Sequence, residues 1–147
     1  MIELHLINQV LDEYVPDQVD FQKWSHAIQY SDNAEITIKI VSLDEMKKYN
    51  MLYKNQDEVT DILSFPFHDL IIDNKNIIGD IAMCANKINT DSILYKKKKI
   101  DRWAHLTIHS VLHILGYTHE NKKNQKKMEL VEINILKKFN ILNPYEI

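Results

Sequence analysis

The sequence predicts an α+β fold: one domain with a four-stranded mixed sheet, helices packed on it, and a metal site at the end of a central buried helix. Three observations carry this. Short alternating apolar runs occupy the N-terminal half, helix-period runs fill the C-terminal half, and four of the seven histidines fall between His105 and His119. At 147 residues the chain is long enough to bury roughly two thirds of its unfolded surface, so a real core is expected. Hydrophobic residues make up 45% and charged residues 27%, a soluble globular balance that excludes disorder and membrane classes.

The elements follow in order. Ile2, Leu4 and Leu6 alternate with polar residues and predict a first strand. Val19 to Ile28 carries apolar residues at helical spacing, and Ala34 to Val41 alternates again. Ser42 and Glu45 form the S-x-x-E pattern of a capping box, ahead of Met46, Tyr49 and Tyr53 on one helical face. The stretch VTDILSFPF is apolar up to Pro66, which predicts an edge strand or a strand end because proline offers no N–H to a ladder. Asp73 to Asn76 reads as a turn into IIGDIAMCA, so these two strands form a hairpin. Beyond it the chain is helical, with breaks at Lys96 to Lys99 and near Gly116. Asp91 to Tyr95 is too short to assign. Ile100 to Leu115 predicts a buried helix, and Met128, Val131, Ile135 and Phe139 a final amphipathic one.

The N-terminus has neither a basic lead nor a small-residue cleavage site, and a cytoplasmic location is expected. The single cysteine, Cys84, has no internal disulfide partner and reads as a small buried strand residue. A net charge of −3 argues against indiscriminate binding to nucleic acid. If RNA is bound, a local patch must attract it. Arg102 is the sole arginine, and the lysines cluster at Lys96 to Lys99 and at Lys122, Lys123, Lys126 and Lys127, on either side of the histidines. Each run alone is an ordinary solvated face; together they make a phosphate-attracting rim.

Imidazoles in an apolar run need partners, because an unpaired polar group is costly to bury. His109 and His113 are four apart and share a helix face. Gly116 lies where a helix ending through a left-handed residue wants glycine, and the turn there brings His119 back toward the same point. Three neutral nitrogens suit one Zn²⁺ and leave a fourth position for water, which is a catalytic pattern. The spacing H-x-x-x-H-x-x-G-x-x-H is that of metzincin peptidases, yet the glutamate that follows their first histidine is Ser110 here, and serine cannot act as that base.

Supporting residues carry two readings each. His105, one turn before His109, lines the same cleft or packs at the helix start. Asp80, after Gly79 in a strand, orients a metal-bound imidazole or closes a turn. Thr60 and Ser64 satisfy backbone at the strand end, while Trp103 and Tyr117 belong to the core or stack on bases.

HSVLHILGYTH resembles the H-G-x-L-H-L-x-G-Y-D-H signature of the YbeY family. VTDILSFPF resembles the family segment P-T-D/N-V-L-S-F-P, and IGDIAMC its strand L-G-D-I-x-I-C/S. Ser110 replaces the family glycine, Thr118 its aspartate, and Lys54 in YKNQDEVT its arginine. Lysine keeps the charge there but loses the bidentate fork that suits phosphate.

The resemblance implies a single metal-dependent hydrolase domain over residues 1–147. It implies an endoribonuclease that cuts single-stranded ribosomal RNA, in 16S rRNA 3′-end maturation and ribosome quality control. His109, His113 and His119 would hold one Zn²⁺ per chain, and Lys54, His105 and Asp80 would assist catalysis. Ribosomal RNA and the small subunit with its proteins are the expected partners, with no membrane and no nucleotide cofactor. Two alternatives stand beside it: a non-catalytic ribosome-assembly factor with a structural zinc, and a metzincin-like peptidase.

Overall fold

In the computed structural model, which describes residues 1–54 and 60–146, alternation and helical spacing resolve into nine elements. They run β1 (Ile2–Asn8), α1 (Gln18–His26), β2 (Ala34–Val41), α2 (Leu43–Lys54), β3 (Ile62–Ile72), β4 (Lys75–Cys84), α3 (Ala85–Leu94), α4 (Lys99–Ile114) and α5 (Lys122–Lys137). The strands lie in the order β1-β2-β4-β3. The first three pair in parallel and β3 runs antiparallel to β4, which makes the expected mixed sheet.

The two-residue period of each strand sorts its side chains between two unequal faces. Ile36, Ile38, Ile81 and Met83 point to the larger core, where they meet Phe21, Ile88, Trp103, Ile108 and Leu136 from α1, α3, α4 and α5. Val41, Leu63, Ala82 and Cys84 point the other way and are covered by Met46 of α2. Burial of Cys84 pushes its thiol upward in pKa, as suits an inert structural residue.

Caps and turns obey local chemistry. Ser42 and Glu45 close the capping box reciprocally, at 3.2 and 3.4 Å. Asp73 and Asn74 both take positive φ, at 51° and 63°, and form the two-residue hairpin turn that Asp and Asn tolerate. The turn is tighter than the sequence implied, since Lys75 and Asn76 already pair with Ile72 and Ile71. Pro66 sits on the edge strand as expected, but β3 does not stop there. A bulge between Pro66 and Leu70, with Asp69 at φ 55°, lets pairing resume to Ile72. Val59, at the start of the VTDILSFPF stretch, lies outside the described residues. Phe139 falls just past α5 and still packs against the main core.

Helix α4 is the central buried helix, with Trp103, Ala104, Ile108, Ser110, Val111 and Leu112 all at or near zero exposure. Trp103 donates from Nε1 to Asn89 at 2.7 Å and is a core residue rather than a stacking platform. Its C-terminus is a Schellman motif: Gly116 N–H reaches the His113 carbonyl and Tyr117 N–H the Leu112 carbonyl, both at 3.0 Å. Gly116 adopts φ +105°, a conformation that a side chain would strain. Gly79 has a different reason, close approach: α4 lays Ile114 directly against its Cα.

Candidate metal centre

The Schellman turn performs the reversal that the sequence predicted. It carries the chain from His113 back across the end of α4, and His109, His113 and His119 present one nitrogen each within 4.8 Å of one another. His109 and His113 are half-buried and His119 is exposed, so the cluster opens to solvent on one side.

Hydrogen bonds fix where the imidazole protons reside. His113 Nδ1 lies 3.1 Å from the Tyr117 carbonyl, which can only accept, so the proton is on Nδ1 and Nε2 is bare. His109 Nδ1 lies 2.5 Å from the Glu132 carboxylate, so its proton too is on Nδ1, and in the neutral ring Nε2 is bare. The two bare nitrogens face each other at 3.1 Å, acceptor against acceptor. That contact is unfavourable unless a cation joins it. Two nitrogens at about 2.0–2.1 Å from one tetrahedral ion stand about 3.3 Å apart, so the spacing fits a divalent metal.

His109 also forms a second group with His105 and Glu132. At 2.5 Å the His109–Glu132 contact is a hydrogen bond with no room for an ion between its atoms. Glu132 is fully buried, and burial pushes its carboxyl upward; hydrogen bonds from His105, His109 and Tyr145 outweigh this and hold it at about 2. It is a fixed anion behind the imidazoles, the arrangement in which a carboxylate orients a ligating histidine. Sequence reading missed it because α5 brings it from beyond the motif. The available signal was a glutamate on the apolar stripe of α5, between Met128 and Ile135.

The other expected site residues lie elsewhere. His105 stands behind His109, with Nε2 3.1 Å from the Tyr145 hydroxyl and 3.6 Å from Glu132. Asp80 does not meet the imidazoles. It follows Gly79, whose Cα faces Ile114 of α4, and strand alternation turns its side chain to the opposite side of the sheet. There it lines a cleft of about 420 Å³ with Lys39, Tyr49, Tyr53, Phe65 and Phe67. Burial raises the Asp80 pKa. Lys54 is the exposed last residue of α2, on that same side, and among the described residues no hydrogen bond or ion pair ties it to the histidines. Ser110 is buried and its hydroxyl bonds that of Ser64, joining α4 to β3 side chain to side chain, where a backbone partner was expected for Ser64.

The profile of the family described as Endoribonuclease YbeY matches residues 7–140. The chain belongs to the YbeY family. A relative named Endoribonuclease YbeY from Buchnera aphidicola subsp. Cinara cedri is 44% identical over 135 residues, covering 90% of this chain and 86% of its own length. One of the same name from Nitrosococcus oceani is 34% identical and covers 99% of this chain and 97% of its own. The solution structure of TM1509 from Thermotoga maritima superimposes with a TM-score of 0.60, at 20% identity, over 95% of this chain and 92% of that one, so the two share a fold. No helix among the described residues is long and apolar enough to cross a membrane.

Acid should empty the centre. Burial lowers the His113 pKa first, and the neighbouring His109 and His119 lower it further, so this ring is neutral and ready to ligate at pH 7. Protons compete with an ion for each bare nitrogen, so retention is complete above the imidazole range and falls as pH drops from 7 toward about 5. Metal content measured after dialysis across that range is expected to decrease monotonically. A flat profile would mean that histidines do not hold the ion.

Proposed function

We propose that this chain is a Zn²⁺-dependent endoribonuclease that cuts single-stranded ribosomal RNA, in 16S rRNA 3′-end maturation and in the removal of faulty ribosomes. His109, His113 and His119 hold one ion per chain. The observation that carries the reading is the pair of bare imidazole nitrogens facing each other at 3.1 Å, with a third ligand beside them. Membership of a family described as Endoribonuclease YbeY gives the reaction class. Ribosomal RNA, the small ribosomal subunit and its proteins are the partners, and the cytoplasm is the setting.

The ion, when bound, supplies a Lewis acid for charge developing on phosphate and acidifies water for attack. The chain's own residues do the rest. Gly116 and Tyr117 set the angle of His113, and Glu132 sets that of His109. Lys54, exposed at the end of α2, contributes a phosphate contact on the far side of the sheet. His105 acts through Tyr145 and Glu132, and Asp80 faces the cleft beneath α2. A peptidase reading is disfavoured because the position after His109, where a peptidase carries its general base, is Ser110, buried and engaged with Ser64, and the one carboxylate that touches His109, Glu132, is held behind the ring on Nδ1. A closed structural zinc needs a fourth protein ligand, and Asp80 lies across the sheet.

Cleavage of a single-stranded fragment from the 3′ region of 16S rRNA should require the ion, stopping with chelator and resuming on addition of Zn²⁺. Activity that persists after chelation, with metal content at zero, overturns the reading. Recruitment is separable from cleavage. Reversing the charges of Lys96, Lys98 and Lys99, exposed at the start of α4, while keeping Lys97, should weaken RNA binding and flatten its salt dependence, by about 0.7 in slope for each phosphate no longer neutralised. The cleavage rate at saturating RNA should survive. An unchanged slope would make this run a solvated face only.

A further inference from the structure

The C-terminal segment does something for the centre that the three ligands do not reveal. Tyr145 Oη donates to Glu132 Oε2, while Glu132 Oε1 accepts from His109 Nδ1 at 2.5 Å. His105 Nε2 lies 3.1 Å from the same hydroxyl. A phenol has one proton to give, and it goes to the carboxylate, so His105 must be the donor in the second contact. The result is a chain in which donation converges on Glu132 from two sides, from His105 through Tyr145 and from His109 directly. It joins α4, α5 and the tail, and every donor in it has an acceptor.

Two further contacts fix the tail that carries this phenol. Tyr145 N–H donates to Asn143 Oδ1 at 2.9 Å, and Lys97 Nζ reaches the Pro144 carbonyl at 3.4 Å. The ring of Tyr145 also stands edge-on to that of His105, with centroids 5.3 Å apart. Glu132 has no exposure, so water cannot take the place of a missing donor.

We propose that Tyr145 and Glu132 are positioning residues of the metal centre: the tail phenol holds the buried carboxylate in the orientation that turns His109 Nε2 toward His113. Without the phenolic oxygen, Glu132 Oε2 has no donor, and the side chain rotates between the two imidazoles left to it, His109 and His105. The His109 ring then loses its fixed tautomer and angle. Partners of ligating histidines are typically worth about 10–100-fold in metal affinity. The inference rests on the histidine cluster binding a metal, and its test is chosen to separate the two.

The probe is Co²⁺, whose visible absorption reports ligand geometry without any RNA. Wild-type chain, Tyr145→Phe, Glu132→Gln and the double variant are titrated with Co²⁺ against a competing chelator, with His113→Ala as the control. Tyr145→Phe is expected to bind about tenfold more weakly and to shift the absorption bands, while the metal-free melting temperature changes little. The double variant should bind no more weakly than Glu132→Gln alone, because both substitutions break one chain. Wild-type affinity and spectrum in Tyr145→Phe would overturn the proposal while leaving the metal centre intact. Additive losses in the double variant would overturn it too, by showing that Tyr145 acts apart from Glu132. A wild-type chain that takes up no Co²⁺ would overturn the metal reading and this inference together.

Discussion

His113→Ala should empty the metal centre and lower cleavage of single-stranded RNA by about a thousandfold, the scale set by several kcal/mol of Lewis-acid stabilisation at about 1.4 kcal/mol per factor of ten. This ring is the geometric middle of the site. It faces His109 at 3.1 Å and stands 4.8 Å, centroid to centroid, from His119, so its loss leaves two ligands where three had met. The metal-free fold should tolerate the change, because His113 is half-buried and the helix-ending bonds at its carbonyl belong to the backbone. Added Zn²⁺ should therefore raise the melting temperature of the wild-type chain and not that of the variant, since only a ligand bound by the native state stabilises it. Elemental analysis, calorimetry and an RNA cleavage assay on the same preparations make the comparison. Retained metal with lost activity would reassign His113 from ligand to catalytic group.

Gly79→Ala should be among the most damaging single-methyl additions available to this chain. An added Cβ would lie 2.8 Å from Ile114 Cδ1 and 2.8 Å from the Phe65 carbonyl oxygen. The isoleucine can turn its side chain, but the carbonyl belongs to a strand paired in register, with Pro66 opposite Gly79 and Phe65 opposite Asp80. Overpacking of this kind costs about 1–3 kcal/mol, or about 3–10 °C in melting temperature for a chain of this size. Ile114 is the residue after His113, so any shift that relieves the clash moves a ligand as well. Weaker Co²⁺ binding should accompany the lower melting temperature. If the melting temperature stays within a degree of wild type, rotation of Ile114 alone absorbs the methyl group.

How much of this was legible in the sequence follows the range over which each interaction acts. The histidine cluster is encoded within eleven consecutive positions, by helical period and one glycine conformation, and the sequence predicted its geometry closely. The capping box at Ser42 and the Asp73–Asn74 turn are equally local. Glu132 and Tyr145 are not, because they reach His109 and His105 only after α5 and the tail fold back across α4. Asp80 shows the converse error. Its neighbour Gly79 does touch the helix that carries the site, but in a strand a shift of one residue is a change of face. Pro66 shows that an edge strand survives a proline when a bulge resets its register; sequence marks the proline and not the recovery.

The tight Asp73–Asn74 turn also bears on the order in which the sheet assembles. It closes the β3–β4 pair across two residues, whereas β1 and β2 are paired in parallel and separated by α1, and β2 reaches β4 across α2 and β3. Chain entropy lost on closure grows with the length of the loop, so the hairpin is the least costly pairing to nucleate and β1 the last strand to dock. Pulsed hydrogen exchange during refolding should accordingly protect the amides of Leu70 and Ile77 before those of His5 and Ile7, which face β2; protection of β1 first would point instead to nucleation on α1 and α4. A chain emerging from its N-terminus makes β1 early and uses it late. Until β4 is complete, the apolar edge of β2 has no permanent neighbour, which makes the interval between synthesis of Val41 and of Cys84 the period of greatest exposure to misassociation.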